Sequence, residues 1–126
     1  MTTKTEGRHD GEFMVSEANG HRSRETGTVT VPANTTLPPG SVLGQITATS
    51  KYVQYDNAET DGREDAAAIL YAEQINDTGA PVDVEAAVVV RDAEVRLADL
   101  EFESGQDQTA QDAAIVDLAA LGVIAR

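Results

Sequence analysis

The chain has 126 residues, 40% of them hydrophobic, with 9 Lys and Arg against 22 Asp and Glu, a formal charge of -13 and no cysteine. That length builds one core, burying about two thirds of the surface an unfolded chain exposes, and the lack of cysteine removes disulfides, thiolate metal sites and thiol nucleophiles. With a sequence pI near 4.3, no apolar run near the about 20 residues of a membrane span and no apolar leader in residues 1–13, the expectation is a soluble chain with no nucleic-acid and no membrane partner.

Residues 1–24 hold four bases (Lys4, Arg8, Arg22, Arg24) and four acids (Glu6, Asp10, Glu12, Glu17), so this segment is neutral. The rest holds five bases and eighteen acids, which is the whole net charge. Before Gly27 the bulky apolar residues after the initiator are Phe13, Met14 and Val15, too few to offset the entropy of ordering the segment. Residues 1–26 are therefore expected to be a flexible N-terminal arm with one apolar anchor, or a plain frayed terminus, ahead of a body at 27–126.

From Gly27 the pattern is of short strands between turns. Thr28-Val29-Thr30-Val31 is a β-branched run stopped by Pro32, and Leu37-Pro38-Pro39-Gly40 reads as a turn. Val42, Gly44, Ile46 and Ala48 alternate as in a half-buried strand, with Gly44 marking a bulge or a close approach. A short strand at Tyr52-Val53-Gln54-Tyr55 precedes an acidic loop at residues 56–65, and residues 67–71 resume an apolar run that its flanking turns favour as a strand. Residues 76–81 close that run. Val82, Val84, Ala86, Val88 and Val90 alternate strictly, and Val89 makes the end of this strand apolar on both faces, so both sides are expected to be covered there. Arg91-Asp92 interrupts it, and Ala93, Val95 and Leu97 resume the alternation as in a hairpin or a bent strand. One amphipathic helix follows, with Thr109 and Asp112 as an approximate capping box, Ala114, Ile115, Leu118 and Leu121 on one face, and Gly122 as its stop. Residues 123–126 read as a terminal strand or a packed tail. The fold class expected is mainly β, a small single domain with one short C-terminal helix.

Chemistry is sparse by comparison. His9 and His21 lie in the polar lead, unsupported by a scaffold that would make either a general base or a metal ligand. Residues 57–62 imitate the opening of a calcium loop, but the closing position that needs a bidentate Glu holds Ala68. Asn34-Thr35-Thr36 and Asn76-Asp77-Thr78 match the glycosylation acceptor and read more simply as turns. In so acidic a chain, pairs such as Glu101 with Glu103 or Glu64 with Asp65 carry no information about acid–base catalysis. Five aromatics, with no Trp, make a stacking groove improbable. No catalytic residue, cofactor or metal is expected, and the protein is not expected to be an enzyme.

A resemblance emerges from the order of several blocks. Gly11-Glu12-Phe13-Met14-Val15-Ser16-Glu17-Ala18-Asn19-Gly20, running into Arg22-Ser23-Arg24-Glu25, resembles the N-terminal signature of the lambda-type head decoration proteins of tailed bacteriophages. Gly40-Ser41-Val42-Leu43-Gly44, Lys51-Tyr52-Val53, Thr60-Asp61-Gly62, Ala68-Ile69-Leu70-Tyr71, Val89-Val90-Arg91-Asp92-Ala93-Glu94-Val95 and Leu118-Ala119-Ala120-Leu121-Gly122-Val123-Ile124 follow in family order, covering about residues 11–126. No block alone is diagnostic; order and spacing together are fairly specific.

The resemblance implies a β-tulip-like domain and a non-enzymatic virion protein. Such a protein forms a homotrimer at three-fold and quasi-three-fold positions outside the expanded head and cements it against DNA pressure. Its partner is the major capsid protein, its place is the outer surface of the capsid after synthesis in the host cytoplasm, and its N-terminal arm orders on the shell by adding a strand. Carried onto this chain, the capsid-binding residues are Glu12, Phe13, Met14, Val15 and Ser16, with Arg22 and Arg24 pairing with shell carboxylates. The acidic body then faces solvent. The competing reading is a β-rich phage tail or surface adhesion module, also without catalytic activity.

Overall fold

The computed structural model describes residues 8–19 and 22–126. The remainder of the expected arm, residues 1–7 with Gly20 and His21, lies outside the described residues. In chain order the elements are β1 (Met14–Glu17), β2 (Arg24–Val31), β3 (Thr35–Leu37), β4 (Val42–Gln45), β5 (Tyr52–Gln54), β6 (Ala66–Leu70), β7 (Gln74–Asn76), β8 (Val82–Val89) and β9 (Ala93–Val95). A 3-10 turn (Leu97–Asp99), helix α1 (Gln108–Ala120) and β10 (Val123–Ala125) complete the chain, so the domain is mainly β with one C-terminal helix.

Five strands close a barrel in the order β2-β5-β4-β6-β8, sealed by eight residue pairs between β2 and β8. Branched residues suit this pleated surface because their stiff side chains pack on cross-strand neighbours. The barrel interior is filled by Val29, Val31, Leu43, Tyr52, Ala68, Leu70, Ala86, Val88 and Val90. A second core lies on the outside of the wall, where α1 and a three-stranded sheet, β1-β9-β10, cover Val42, Ile69 and Val89. Val88 and Val89 therefore face different cores, which is the physical reason for the two-sided apolar run.

Several local expectations are revised. The strand at Val42 ends at Gln45 and is covered on both faces, so its alternation through Ile46 and Ala48 does not mark a half-buried strand. The expected irregularity at Gly44 is present: the register with β6 shifts between Leu43 and Gly44, and a Cβ at Gly44 would lie 2.5 Å from the Arg63 backbone. The 91–92 interruption is not a hairpin, because β8 stays in the barrel while β9 joins the outer sheet. Asp92, at φ 49°, turns the corner, a left-handed conformation that Asp tolerates better than most residues.

Asp107, rather than Thr109, caps α1, its Oδ1 accepting from Ala110 N at 2.9 Å. The earlier start places Ala110 in the first turn, where its carbonyl accepts the buried Tyr55 hydroxyl at 2.8 Å. The helix buries a narrow stripe of Ala110, Ala114 and Leu118, small enough to seat it closely against the wall, while Leu121 is 41% exposed. Gly122, at φ 87°, ends the helix in the left-handed conformation that glycine adopts without steric cost.

Candidate interaction surface

The segment ahead of β2 is part of the body. Phe13 is 1% exposed and belongs to the second core. Met14 is half-buried against the same core, and β1 pairs antiparallel with β9 through Met14 with Val95, Ser16 with Glu94 and Glu17 with Ala93. Residues 13–17, on the arm side of the boundary expected at residue 27, thus pack and pair with the body. Two apolar residues, Phe13 and Met14, suffice because their partners come from distant parts of the chain, a contribution that local composition does not report.

Tyr71 holds this segment in place. Its carbonyl accepts from Gly11 N at 3.0 Å, and its ring occupies the space a Gly11 side chain would need, 2.7 Å from an added Cβ. Phe13 meets the same ring edge-on, with centroids 6.4 Å apart, and the Arg24 guanidinium lies 4.0 Å from the ring centroid. A cation against an aromatic face is worth about 0.5–2 kcal/mol depending on desolvation. Arg24 also donates to Glu17, with Nε to Oε2 at 3.0 Å, and the buried Ser23 hydroxyl donates to the same carboxylate. The hydrogen bond to Glu17, with its charge, raises the Arg24 pKa above the ordinary guanidinium value against a smaller loss from burial.

The seven residues expected to bind the capsid are consequently divided. Phe13 is core, Met14 is half-buried, and Arg24 is committed to Glu17 and Tyr71. Glu12 is exposed, its carboxylate accepting from His9 N at 3.0 Å in a tight turn. Val15 is 55% exposed and Ser16 is exposed beside it, where the β1 register shifts. Arg22, with its side chain 72% exposed, pairs with Asp92 at 3.2 Å.

β1 is an edge strand: β9 takes one side, and the sheet order β1-β9-β10 leaves the other side unpaired among the described residues. On the outer face Ser16, Glu94 and Ile124 fall in one row across the three strands, bordering a shallow depression of about 280 Å³. Sequence reasoning missed Tyr71, which closes this segment, and Arg8, which pairs with Glu101 at 3.0 Å and donates to the Asp99 carbonyl. The one available signal for Tyr71 was its polar tip at the end of an apolar run.

Fold and surface together define a small binding module whose exposed features are strand edges and paired charges. A family model narrows that class: the one for the bacteriophage lambda head decoration protein D matches residues 3–123. The chain belongs to this family and is a phage head decoration protein, a structural component of the capsid exterior. The comparison with curated proteins finds no match.

Proposed function

We propose that the protein binds as a trimer to the three-fold and quasi-three-fold sites of the expanded head, contacts the major capsid protein through its N-terminal segment, and stabilises the shell against internal DNA pressure. The observation that carries this reading is the position of β1 at a sheet edge, with Val15 and Ser16 exposed. An edge strand presents a row of unpaired N–H and C=O groups, so an extended segment of another chain can pair with it while exposed side chains set register. Glu12, Val15, Ser16 and Arg22 are the contacts available without rearrangement. Phe13, Met14 and Arg24 act indirectly, by holding β1 in place.

The test is co-sedimentation with undecorated expanded heads, comparing the full chain with Val15→Asp and with a version lacking residues 1–7. The full chain is expected to pellet near one copy per shell subunit, with Val15→Asp largely left in the supernatant. Equal pelleting of Val15→Asp would remove β1 from the contact. Failure of every version to pellet would overturn head binding for that shell and favour a tail or adhesion module.

A further inference from the structure

The two faces of the sheet β1-β9-β10 differ in character. The inner face is closed, because Ala93, Val95 and Val123 pack with Ala110, Ala114 and Leu118 of α1 in the second core. The outer face is open. There the row of Ser16, Glu94 and Ile124 is followed by a second row, since Arg126 N donates to Val95 O at 3.0 Å and Leu97 N donates to Arg126 O at 2.9 Å. Those two bonds bracket Arg96 and set Arg126 directly opposite it, in the parallel register that already pairs Ile124 with Glu94.

Charge and apolar exposure both set this face apart. Glu17, Asp92 and Glu94 line its depression and pair with Arg24, Arg22 and Arg126 respectively, while Asp99 at its end pairs with Arg96. Four acids meet four bases, so the whole formal charge of -13 lies elsewhere in the chain. Of the seven large hydrophobic residues exposed among the described ones, Val15, Leu97, Leu121 and Ile124 lie on these strands or within two residues of them. An acidic chain can meet another surface here without repulsion and with apolar area to bury.

Arg96 and Arg126 are the least committed of the four arginines. Both side chains are largely exposed, the carboxylates of Asp99 and Glu94 stand 3.8 and 3.7 Å away, and neither guanidinium donates a hydrogen bond among the described residues. Like charges directly opposite on neighbouring strands repel, and a carboxylate placed between two planar guanidinium forks accepts from both.

What covers this face follows from β1. A segment that pairs with the free edge of β1 lengthens the sheet by one strand, with side chains alternating between the two faces. The inner side is filled by α1 and the barrel wall, so the body of the protein that supplies the segment lies over the outer side. We infer that the outer face of β1-β9-β10 is a second contact for the major capsid protein, which sets a carboxylate between Arg96 and Arg126 and an apolar side chain against Ile124. This rests on the head-binding reading and extends it from the β1 edge to β9 and β10.

The test measures binding of the full chain to undecorated expanded heads by sedimentation over a concentration series, alongside Arg96→Gln/Arg126→Gln and Ile124→Ser. A control, Lys51→Gln/Arg63→Gln, removes as much positive charge from residues that pair with Asp83 and Asp61, away from this face. The first two variants are expected to bind about tenfold or more weakly, and the control like the parent, with the mass of each free protein unchanged and Tm within about 3 °C. The inference is overturned, with head binding intact, if the parent pellets and either variant binds as tightly. It is overturned equally if the control weakens as much, which makes the effect one of total charge, or if either variant lowers the mass of the free protein, which makes the face an interface between copies. If the parent itself stays in the supernatant, the head-binding reading falls and this inference falls with it.

Discussion

Replacing Phe13 by Ala separates a body that includes the N-terminal segment from one that begins at residue 27. Phe13 is 1% exposed, packs in the core beneath α1 and meets Tyr71 edge-on. Phe to Ala in a core costs about 3–5 kcal/mol, of which the ring pair supplies about 0.5–1.5 kcal/mol. Because a near-terminal segment collapses into its own cavity more readily than a central strand, the lower part of that range, about 3–4 kcal/mol, applies. An unfolding entropy of about 0.26 kcal/mol/K for a chain of this length converts the loss to a fall in Tm of about 11–15 °C. Thermal and urea unfolding followed by near-ultraviolet circular dichroism reads it. Val15→Ala, at a site 55% exposed, is the control and should change stability by no more than about 0.5 kcal/mol. A Phe13→Ala variant within about 2 °C of the parent would refute the argument and return residues 8–26 to the status of a separate arm.

Three further outcomes are expected. Gly44→Ala should destabilise by about 1–3 kcal/mol in urea unfolding, because its Cβ would sit 2.5 Å from backbone atoms of Arg63 that cannot swing aside. Asn76→Ala should cost about 2–3 kcal/mol, since the buried amide donates to the carbonyls of Val31, Pro32 and Ala80 and its oxygen accepts from Thr78, leaving several groups unpaired at once. Burial, followed by the carboxylates of Asp117, Asp65, Asp56 and Asp107, raises the Tyr55 pKa above its usual value. Below about pH 10 both folded and unfolded chains keep the phenolic proton; above it the unfolded chain loses the proton first, so stability falls as pH rises through that range. Tyr55→Phe should flatten this alkaline slope in unfolding curves taken between about pH 9 and 11, and at neutral pH should cost about 1 kcal/mol for the lost bond to Ala110.

The parts of the fold legible in the sequence are those whose cause is local. Strict alternation from Val82 to Val90 located β8, and the extra Val89 correctly implied cover on both faces. The helix was visible from Ala114 and Leu118, but its cap was misplaced because Asp107 and Thr109 are chemically comparable caps, and the choice depends on where Ala110 must meet Tyr55. β3 and β7 were invisible. Thr35–Leu37 and Gln74–Asn76 are three-residue segments too short for any periodicity, with Leu37 buried in the barrel core and the Asn76 amide tying β7 to the Val31 and Pro32 carbonyls just ahead of β3. The packing of the N-terminal segment was not legible for a related reason: Phe13 is sparse in its own neighbourhood, and Tyr71, Val95 and Leu100, which share its core, are remote in the chain. Within the candidate surface, the exposure of Val15 and Ser16 and the internal use of Arg24 needed coordinates.

The barrel wall shared by two cores has a consequence for how this domain tolerates variation. A strand with one wet face accepts polar residues at every second position, so a complete substitution scan across it shows a period of two. That period should appear along residues 83–87 of β8, where the exposed Asp83 and Glu85 and the half-buried Ala87 alternate with the more buried Val84 and Ala86, and vanish along Val88, Val89 and the β6 residues Ala68, Ile69 and Leu70, none of which has a solvent side. Information in the chain is therefore concentrated in a few short stretches that specify both cores at once. The exposed tip of the acidic loop, residues 57–60, is left as the place where insertions disturb the least, and the exposed Val116 on α1 as a place that tolerates substitution.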